Sequence, residues 1–322
     1  MRTITLEEHY VSLGFLEGPA WEIKRQAESF GFTEVLEKLC DLGEGRIAEM
    51  DAAGIDVQVL SLTSPGVEQL DATEAMALAR EENDRLADAV SRYPSRFAGF
   101  AALPTPAPDT AAEELERMVR EHGFQGAIIN GHARGRYLDD EFFWPILERA
   151  EALEVPLYLH PTPPPQPVIE ASYVGNYSPE VAGTLAAGAW GWHIETAIHV
   201  IRLILSGAFD RYPRLQLVIG HMGEGLPFML PRLEQALPYV TKLDRPLGAY
   251  FLENVHYTFS GFNWTSTFLN LLFQVGVDRI MFSTDHPYGS MQQARTFLDQ
   301  LPVSPADKGR IAHGNAERLL RL

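Results

Sequence analysis

Four short apolar runs, far apart in this sequence, each end in a side chain that can bind a metal ion. They end at Glu7 and His9, at His160, at His221 and at Asp285. Carboxylate oxygens and imidazole nitrogens are common ligands of divalent metal ions in proteins. Since the carboxyl ends of all the strands in a (β/α)8 barrel open onto one face, that fold would bring these side chains together. We therefore expect a metal-dependent catalytic centre at the mouth of a barrel.

The first run offers two ligands at a spacing of two residues. Side chains alternate across a strand, so Glu7 and His9 share a face and Glu8 between them points away. Glu7 and His9 could therefore chelate one ion. An ordinary charged strand end fits this short pattern equally well, so the pattern alone does not decide between the two.

Two further candidates follow runs with little or no charge. His160 comes directly after residues 156–159, where a neutral imidazole can bind a metal ion or serve as a structural histidine. Asp285 ends the run 280–285, where a carboxylate beside a cation stays ionised and can also move protons. The alternative for Asp285 is a helix cap for the segment after Pro287.

The third run leads into a glycine-rich turn that carries a carboxylate. Glu224 lies three residues after His221 and could hydrogen-bond its imidazole and fix the tautomer. Such a pair suits general acid–base chemistry, although a strand-to-helix turn with incidental charges fits the same residues. His193 lies near the start of an apolar segment, Trp190 to Leu205, that we expect to be a helix, and it could face the same pocket.

The surrounding elements alternate between strand-sized apolar runs and amphipathic helical segments, which is the pattern of βαβ units around a parallel sheet. The expected strands are residues 3–8, 56–62, 97–103, 126–130, 156–160, 215–220, 255–260 and 279–284. Eight such units predict an α/β fold, a (β/α)8 TIM barrel, in one domain over residues 1–322. Residues 10–45 and 161–190 are too long for plain crossovers. We expect these insertions after strands 1 and 5 to wall the active site.

The composition limits the classes of function. The chain has 322 residues, 46% of them hydrophobic, which is enough for a sizeable core. Its formal net charge of −17 and the lack of a Lys/Arg run argue against nucleic-acid binding. The single cysteine, Cys40, excludes an intrachain disulfide framework. With no signal-type apolar region and no run long enough to cross a bilayer, we expect a cytoplasmic protein that does not act at a membrane.

As a set, the motifs resemble those of the amidohydrolase superfamily, in the branch that contains γ-resorcylate (2,6-dihydroxybenzoate), aminocarboxymuconate semialdehyde and 5-carboxyvanillate decarboxylases. The resemblance spans nearly the whole chain. The matching residues are 6–9 (LEEH), 51–55 (DAAGI), 100–104 (FAALP), 126–131 (GAIING), 158–161 (YLHP), 195–199 (ETAIH), 206–207 (SG), 220–227 (GHMGEGLP), 283–287 (STDHP) and 313–316 (HGNA).

The resemblance implies one divalent metal ion held by Glu7, His9, His160 and Asp285. The first strand carries Glu-x-His where many amidohydrolases carry His-x-His, and within the superfamily this change points to the decarboxylases. Asn130 occupies the region where binuclear relatives hold a bridging lysine. Zinc is favoured on histidine content, and manganese suits the same ligands.

The implied substrate is a small ortho-hydroxybenzoate-like, or related unsaturated, carboxylic acid. CO2 would leave after protonation of the carbon that bears the carboxylate, with Asp285 as the proton donor. We expect His221 to orient or relay that proton and Glu224 to support His221. Asn130 and His193 are the side chains that we expect to contact the substrate.

Arg232 matches an arginine of the decarboxylase pattern. We expect it to contact substrate anions or a neighbouring subunit, since the resemblance implies a homodimer or homotetramer. Residues 132–140 and 161–167 depart from the family pattern, which leaves the substrate open within its class. Two other functions are also open. One is a hydrolase of a lactone or an amide, in which Asp285 acts as the base, and the other is a catalytically silent barrel in a larger assembly.

Overall fold

The computed structural model describes residues 1–28 and 31–322 in full and the backbone of residues 29 and 30. Eight parallel strands form one sheet, in which each strand pairs with the next along the chain. They are β1 (Ile4–Tyr10), β2 (Val57–Leu62), β3 (Phe97–Ala102), β4 (Gly126–Asn130), β5 (Leu157–His160), β6 (Leu217–Ile219), β7 (Val255–Thr258) and β8 (Ile280–Met281). Leu6 forms a parallel bridge with Ser283, so β1 lies beside the segment that follows β8 and the sheet nearly closes. The predicted (β/α)8 barrel is confirmed.

Helices alternate with the strands and cover the barrel. The α-helices are Leu13–Glu17, Trp21–Phe30, Thr33–Cys40, Glu44–Ala53, Ala72–Arg92, Pro108–His122, Trp144–Leu153, Gln166–Ser172, Pro179–Ala186, Gly191–Leu205, Ala208–Arg211, Leu226–Ala236, Leu247–Glu253, Thr265–Val275, Met291–Gln300, Pro305–Gly309 and Asn315–Leu320. Short 3-10 helices span Glu141–Phe143, His221–Gly223, Leu237–Tyr239 and Val277–Arg279, and Arg310–Gly314 is π-helical. No helix among the described residues is long and apolar enough to cross a membrane.

Two apolar layers hold the barrel together. The inner cluster consists of Ile4, Leu6, Val57, Val59, Ala98, Phe100, Ile128, Tyr158, Val218 and Met281 from the strands, with Ala316 and Leu320 from the last helix. The outer cluster lies between the strands and the helices and includes Leu60, Phe97 and Ile129. Since the strands are buried on both faces, their sequences are nearly continuous apolar runs.

The last three strands end before the residues at which the sequence predicts their ends. β6, β7 and β8 end at residues 219, 258 and 281, rather than at 220, 260 and 284. The chain leaves the extended conformation as the functional residues begin, since His221, Ser260 and Asp285 have φ angles of 49°, 45° and 61°. Left-handed backbone departs from the extended conformation of a regular strand, so the apolar runs overestimate where these strands end.

The two long connections contain helices of their own. Residues 11–43 include three helices after β1, and residues 161–190 include two after β5. The second connection reaches one of the candidate site residues, because His193 Nε2 lies 3.0 Å from the carbonyl oxygen of Gly188. The role of both insertions as walls of an active site stays a prediction.

Candidate metal centre

The candidate ligands lie together at the carboxyl ends of their strands. Glu7, His9 and His160 each place a ligand atom within 4.8 Å of the others, and so do Glu7, His221 and Asp285. His9 Nε2 lies 3.2 Å from Asp285 Oδ1, and His160 Nε2 lies 3.4 Å from Glu7 Oε1. The fold therefore gathers side chains that are up to 278 residues apart in sequence, namely the pair Glu7 and Asp285.

A bulge in β1 turns Glu7 towards this cluster. Leu6 packs inside the barrel, so regular alternation would send the next side chain outwards. Instead, the pairing of β1 with β2 shifts register between Thr5 and Glu8, and Glu7 has a φ of 65°. Leu6 and Glu7 both face the interior as a result. Glu8 turns away and accepts a 2.8 Å hydrogen bond from the backbone N–H of Thr284.

The two carboxylate oxygens of Glu7 have different surroundings. Oε2 accepts hydrogen bonds from the hydroxyls of Tyr158 and Ser260. Oε1 is buried, has no hydrogen-bond partner among the described residues, and lies 3.4 Å from His160 Nε2 and 3.6 Å from His221 Nε2. Burial raises the pKa of Glu7, although the nearby His221 opposes this. A buried, unsatisfied carboxylate oxygen among imidazoles is a position that a cation would satisfy.

His160 is suited to act as a neutral ligand. Burial holds the pKa of His160 well below its ordinary value, and the neighbouring His9 and His221 act in the same direction. A neutral imidazole keeps a lone pair that a metal ion can accept. The rings of His9 and His160 meet edge to face, with their centroids 4.9 Å apart.

Asp285 combines contact with the cluster and access to solvent. Its side chain is 18% exposed, whereas the side chain of His9, which it contacts, is fully buried. The residue follows β8 in the left-handed conformation, which places its carboxylate beside His9 instead of continuing the strand. A carboxylate that touches the cluster and is partly exposed to solvent is in a position to exchange protons with a substrate.

Glu224 bridges two histidines. Its Oε1 accepts a 2.7 Å hydrogen bond from His221 Nδ1, and its Oε2 accepts one of 2.5 Å from His193 Nδ1. Burial lowers the pKa of His221, but the carboxylates of Glu224 and Glu7 outweigh it and raise the value to about 10. Burial raises the pKa of Glu224, but His221 and His193 outweigh it and lower the value to about 2. The sequence predicts the contact of Glu224 with His221 but not the one with His193.

Asn130 lies next to the cluster, at the end of β4. It is the register partner of His160 on β5. Its backbone N–H donates to Glu68 Oε1 at 2.7 Å, while its Oδ1 is buried without a hydrogen-bond partner among the described residues. Burial raises the pKa of Glu68 to about 7 against the effect of the Asn130 hydrogen bond. Sequence reasoning missed Glu68, because no motif surrounds it.

Arg232 lies away from the cluster. It is exposed on the helix Leu226–Ala236, and its Nη1 donates to Gln235 Oε1 of the same helix at 3.1 Å. Among the described residues, the guanidinium has no contact with the candidate ligands of its own chain. The expectation that it meets a substrate within one chain gains no support, and contact with a neighbouring subunit stays a prediction.

Two aromatic side chains that sequence reasoning missed complete the surroundings. The Phe262 ring lies 5.0 Å from the ring of His193 and 5.3 Å from that of His221, measured between centroids. The Tyr288 ring lies 5.5 Å from that of His9. Each follows the end of a strand by a few residues, so a search for aromatic residues shortly after β7 and β8 could have found both.

Comparison with known proteins places the chain among enzymes of one family. A sequence model of the Amidohydrolase family matches residues 19–322. A γ-resorcylate decarboxylase of Polaromonas sp. (strain JS666) is 37% identical over 338 residues, which cover 99% of this chain and 98% of that relative.

Two solved structures have the same fold over the whole chain. A dihydroxybenzoic acid decarboxylase from Polaromonas sp. JS666, with bound manganese and the inhibitor 2-nitroresorcinol, has a TM-score of 0.89 and 36% identity, covering 100% of this chain and 97% of its own. A 5-carboxyvanillate decarboxylase from Novosphingobium aromaticivorans DSM 12444, with manganese and 4-hydroxy-3-methoxy-5-nitrobenzoic acid, has a TM-score of 0.90 and 36% identity, covering 100% and 96%.

Proposed function

We propose that this chain, which belongs to the amidohydrolase family, is a metal-dependent decarboxylase of ortho-hydroxybenzoate-like acids. The observation that carries the proposal is the buried Oε1 of Glu7, which faces His160 and His221 without a hydrogen-bond partner among the described residues. This oxygen belongs to the Glu-x-His strand by which the chain resembles the decarboxylases. A hydrolase is not favoured, because the similar proteins described above are decarboxylases.

The residues that would hold the divalent ion are Glu7, His9, His160 and Asp285. Their two carboxylates and two imidazoles form a donor set that suits zinc or manganese. Bound there, the ion would supply positive charge that offsets the carboxylate and the neighbouring phenolate of the substrate. Histidine content favours zinc, whereas the manganese in two similar structures favours manganese, so both ions belong in the assay.

Asp285 would deliver the proton that the reaction requires. In its carboxylic acid form it donates a proton to the ring carbon that bears the carboxylate, and a new C–H bond forms. The C–C bond to the carboxylate then breaks, its electron pair returns to the ring, and CO2 leaves. Solvent restores the proton, since the Asp285 side chain is 18% exposed.

His221, Glu224 and His193 would position the proton and the substrate. Glu224 fixes both imidazoles through their Nδ1 atoms, which leaves His221 Nε2 directed towards Glu7 Oε1 at 3.6 Å. His221 can therefore orient or relay the proton without moving. Asn130 would offer its buried Oδ1 to a substrate hydroxyl, since that atom has no partner among the described residues.

The surface position of Arg232 fits a role between subunits better than a role within one. We keep a homodimer or homotetramer as the expected assembly, in which this exposed guanidinium would contact a neighbouring copy or its substrate. Light scattering of the purified protein measures the assembly. A monomer with full decarboxylase activity would remove this role for Arg232.

The proposed function is tested by incubating zinc-loaded and manganese-loaded protein with a panel of ortho-hydroxybenzoates that includes 2,6-dihydroxybenzoate. Released CO2 and ring absorbance are followed together. The Asp285→Asn variant should lose about 10²- to 10⁴-fold in rate, the usual contribution of a positioned acid. Asp88→Asn, at an exposed position, is the matched control and should keep full activity. If the whole panel is inert while lactones or amides are hydrolysed, the decarboxylase proposal fails.

A further inference from the structure

A cavity of about 390 Å³ lies at the end of the barrel opposite the candidate metal centre. Its walls include Pro156, Gln216 and Arg279, which immediately precede β5, β6 and β8, and His256, the second residue of β7. These positions lie at the amino ends of four consecutive strands, whereas the candidate ligands lie at the carboxyl ends. The cavity is therefore separate from the site described above.

Arginines dominate the walls of this cavity. The charged side chains that line it are Arg214, Arg279, Arg318, Arg321, Glu154 and Asp278. Four guanidinium groups against two carboxylates leave an excess of two positive charges, in a chain whose formal net charge is −17. A concave surface with one excess sign of charge attracts ligands of the opposite sign.

Two of the arginines make only uncharged contacts. Arg279 Nη1 donates to Gln216 Oε1 at 3.2 Å and lies 3.0 Å from His256 Nε2. Arg318 Nη2 donates to the carbonyl oxygen of Asp278 at 2.8 Å and to Asn315 Oδ1 at 2.9 Å. No ion pair joins either guanidinium to a carboxylate among the residues that the structure describes. Burial lowers the pKa of Arg279 and the charge of Arg318 adds to this, whereas the charges of Glu253 and Asp278, which form no ion pair with it, oppose the shift without cancelling it.

His256 adds an unsatisfied polar atom to the same wall. The residue is 4% exposed, and its Nδ1 has no hydrogen-bond partner among the described residues. Burial, together with the charges of Arg279 and Arg318, lowers the pKa of His256 to about 3. The imidazole is therefore neutral and does not add to the positive charge of the wall.

A purely structural role would explain these arginines less well. Arg321, in the same wall, is paired with the carboxylate of Glu154, as a structural arginine usually is. Arg279 is half-buried and has no such partner. Removing a charge from water without a counter-charge costs free energy, and a bound anion would offset that cost.

We propose that this cavity binds a phosphate group, carried by a small molecule, through Arg279 and Arg318. A phosphate ester carries about 1.5 to 2 negative charges at neutral pH, which matches the two guanidinium groups that have no carboxylate partner. Guanidinium groups also fit phosphate oxygens through paired N–H donors. The proposal does not depend on the reaction at the other end of the barrel.

The position of the two arginines indicates what such a ligand would do. Arg279 immediately precedes β8, and Arg318 lies in the helix Asn315–Leu320 near the end of the chain. A phosphate held by both would connect the last strand to the last helix. Because it binds only the folded protein, it should raise the unfolding temperature, and the rise should grow with the logarithm of the phosphate concentration above the Kd.

The test is calorimetric titration of inorganic phosphate into the metal-loaded protein, with chloride adjusted to constant ionic strength. We expect saturable binding with one phosphate per chain. Arg279→Gln and Arg318→Gln should each raise the Kd about tenfold or more, because each removes a charged hydrogen-bond donor. Arg211→Gln, an exposed arginine outside the cavity, is the matched control and should bind as the unchanged protein does.

A divalent ion at the other end of the barrel could also attract phosphate, and the variants separate the two sites. Binding that both cavity variants retain at full strength would overturn the proposal, as would the absence of saturable binding in the unchanged protein. Arg318 is exposed, so Arg318→Gln should fold even if Arg279→Gln does not, and its result then decides alone. Phosphate should also raise the unfolding temperature of the unchanged protein by more than that of Arg318→Gln at the same phosphate concentration.

Discussion

Glu224 Oε1 lies 2.7 Å from His221 Nδ1, and this contact depends on an unusual backbone. His221, Met222 and Glu224 have φ angles of 49°, 57° and 56°, a region that residues other than glycine seldom occupy. The tight turn lets a carboxylate three residues along reach back to the imidazole. It also leaves the second oxygen of Glu224 free for His193, at 2.5 Å. Such backbone conformations cost free energy and are found mostly at functional sites.

We expect Glu224→Gln to lower kcat by about 10- to 100-fold, the usual effect of losing a side chain that orients a functional histidine. The substitution keeps the size of the side chain but removes the charge shared by His193 and His221. Metal content, measured by atomic emission, should stay near that of the unchanged protein, because Glu224 is not among the candidate ligands.

Glu234→Gln is the control for this substitution, since Glu234 is an exposed glutamate on the next helix. It should leave kcat unchanged. If Glu224→Gln lost metal in parallel with activity, the role of Glu224 as an orienting residue would be wrong, and it would have to be counted among the ligands.

The two hydroxyl groups that donate hydrogen bonds to Glu7 Oε2 give a second prediction. Tyr158→Phe removes one of the two donors to this oxygen and changes little else in shape. The affinity for the divalent ion should fall about 10- to 100-fold, because the carboxylate loses a group that fixes its orientation. Competition with a chelator at fixed pH measures the affinity.

Tyr250→Phe provides the comparison for Tyr158→Phe. Tyr250 also donates its hydroxyl to a carboxylate, that of Asp210, but outside the candidate metal centre. Its loss should leave metal affinity unchanged. Equal affinities in the two tyrosine variants would contradict the view that the hydroxyl of Tyr158 prepares Glu7 for a cation.

The sequence allows the barrel and the grouping of the candidate ligands to be predicted, for a physical reason. A strand buried on both faces requires a continuous apolar run, and such runs end where the chain reaches the barrel mouth. The polar residues at the ends of β1, β5, β6 and β8 can therefore belong to one cluster. Because strand order alone determines which ends meet, His160 and Asp285 can be placed in the cluster without any knowledge of distances.

What could not be predicted depends on local backbone geometry and on contacts between distant residues. Regular alternation places Glu7 and His9 on one face and Leu6 on the other. In the structure, Leu6 and Glu7 both face the interior of the barrel, because a bulge in β1 interrupts the alternation. Apolar or polar character does not encode a bulge. Glu68 and Ser260 were missed for another reason, since each lies in a loop and acts through a partner on a distant strand that no local pattern identifies.

The link between β1 and the residues before Asp285 gives a third prediction. Thr284 donates to Glu8 through its backbone N–H at 2.8 Å and through its hydroxyl at 2.5 Å, and all these groups are buried. Thr284→Val removes the hydroxyl donor and should lower the free energy of unfolding by about 1 to 3 kcal/mol. Thr296→Val, whose hydroxyl donates to a backbone carbonyl on an exposed helix face, should change it by about 0.5 kcal/mol or less. Denaturant titration at constant metal concentration compares the two, and equal losses would contradict the proposed link.

Glu68 gives a prediction about pH. Burial raises its pKa from 4.5 to about 7 in the folded protein, so between these values the folded state binds more protons than the unfolded state. Stability contributed by the protonated carboxyl is therefore lost as the pH rises from about 4.5 to about 7. Glu68→Gln does not titrate, and its stability relative to the unchanged protein should rise across this range by on the order of 3 kcal/mol. Unfolding measured at several pH values tests this, with Glu121→Gln as the exposed control. A constant difference between Glu68→Gln and the unchanged protein at every pH would mean that Glu68 has an ordinary pKa in the folded state.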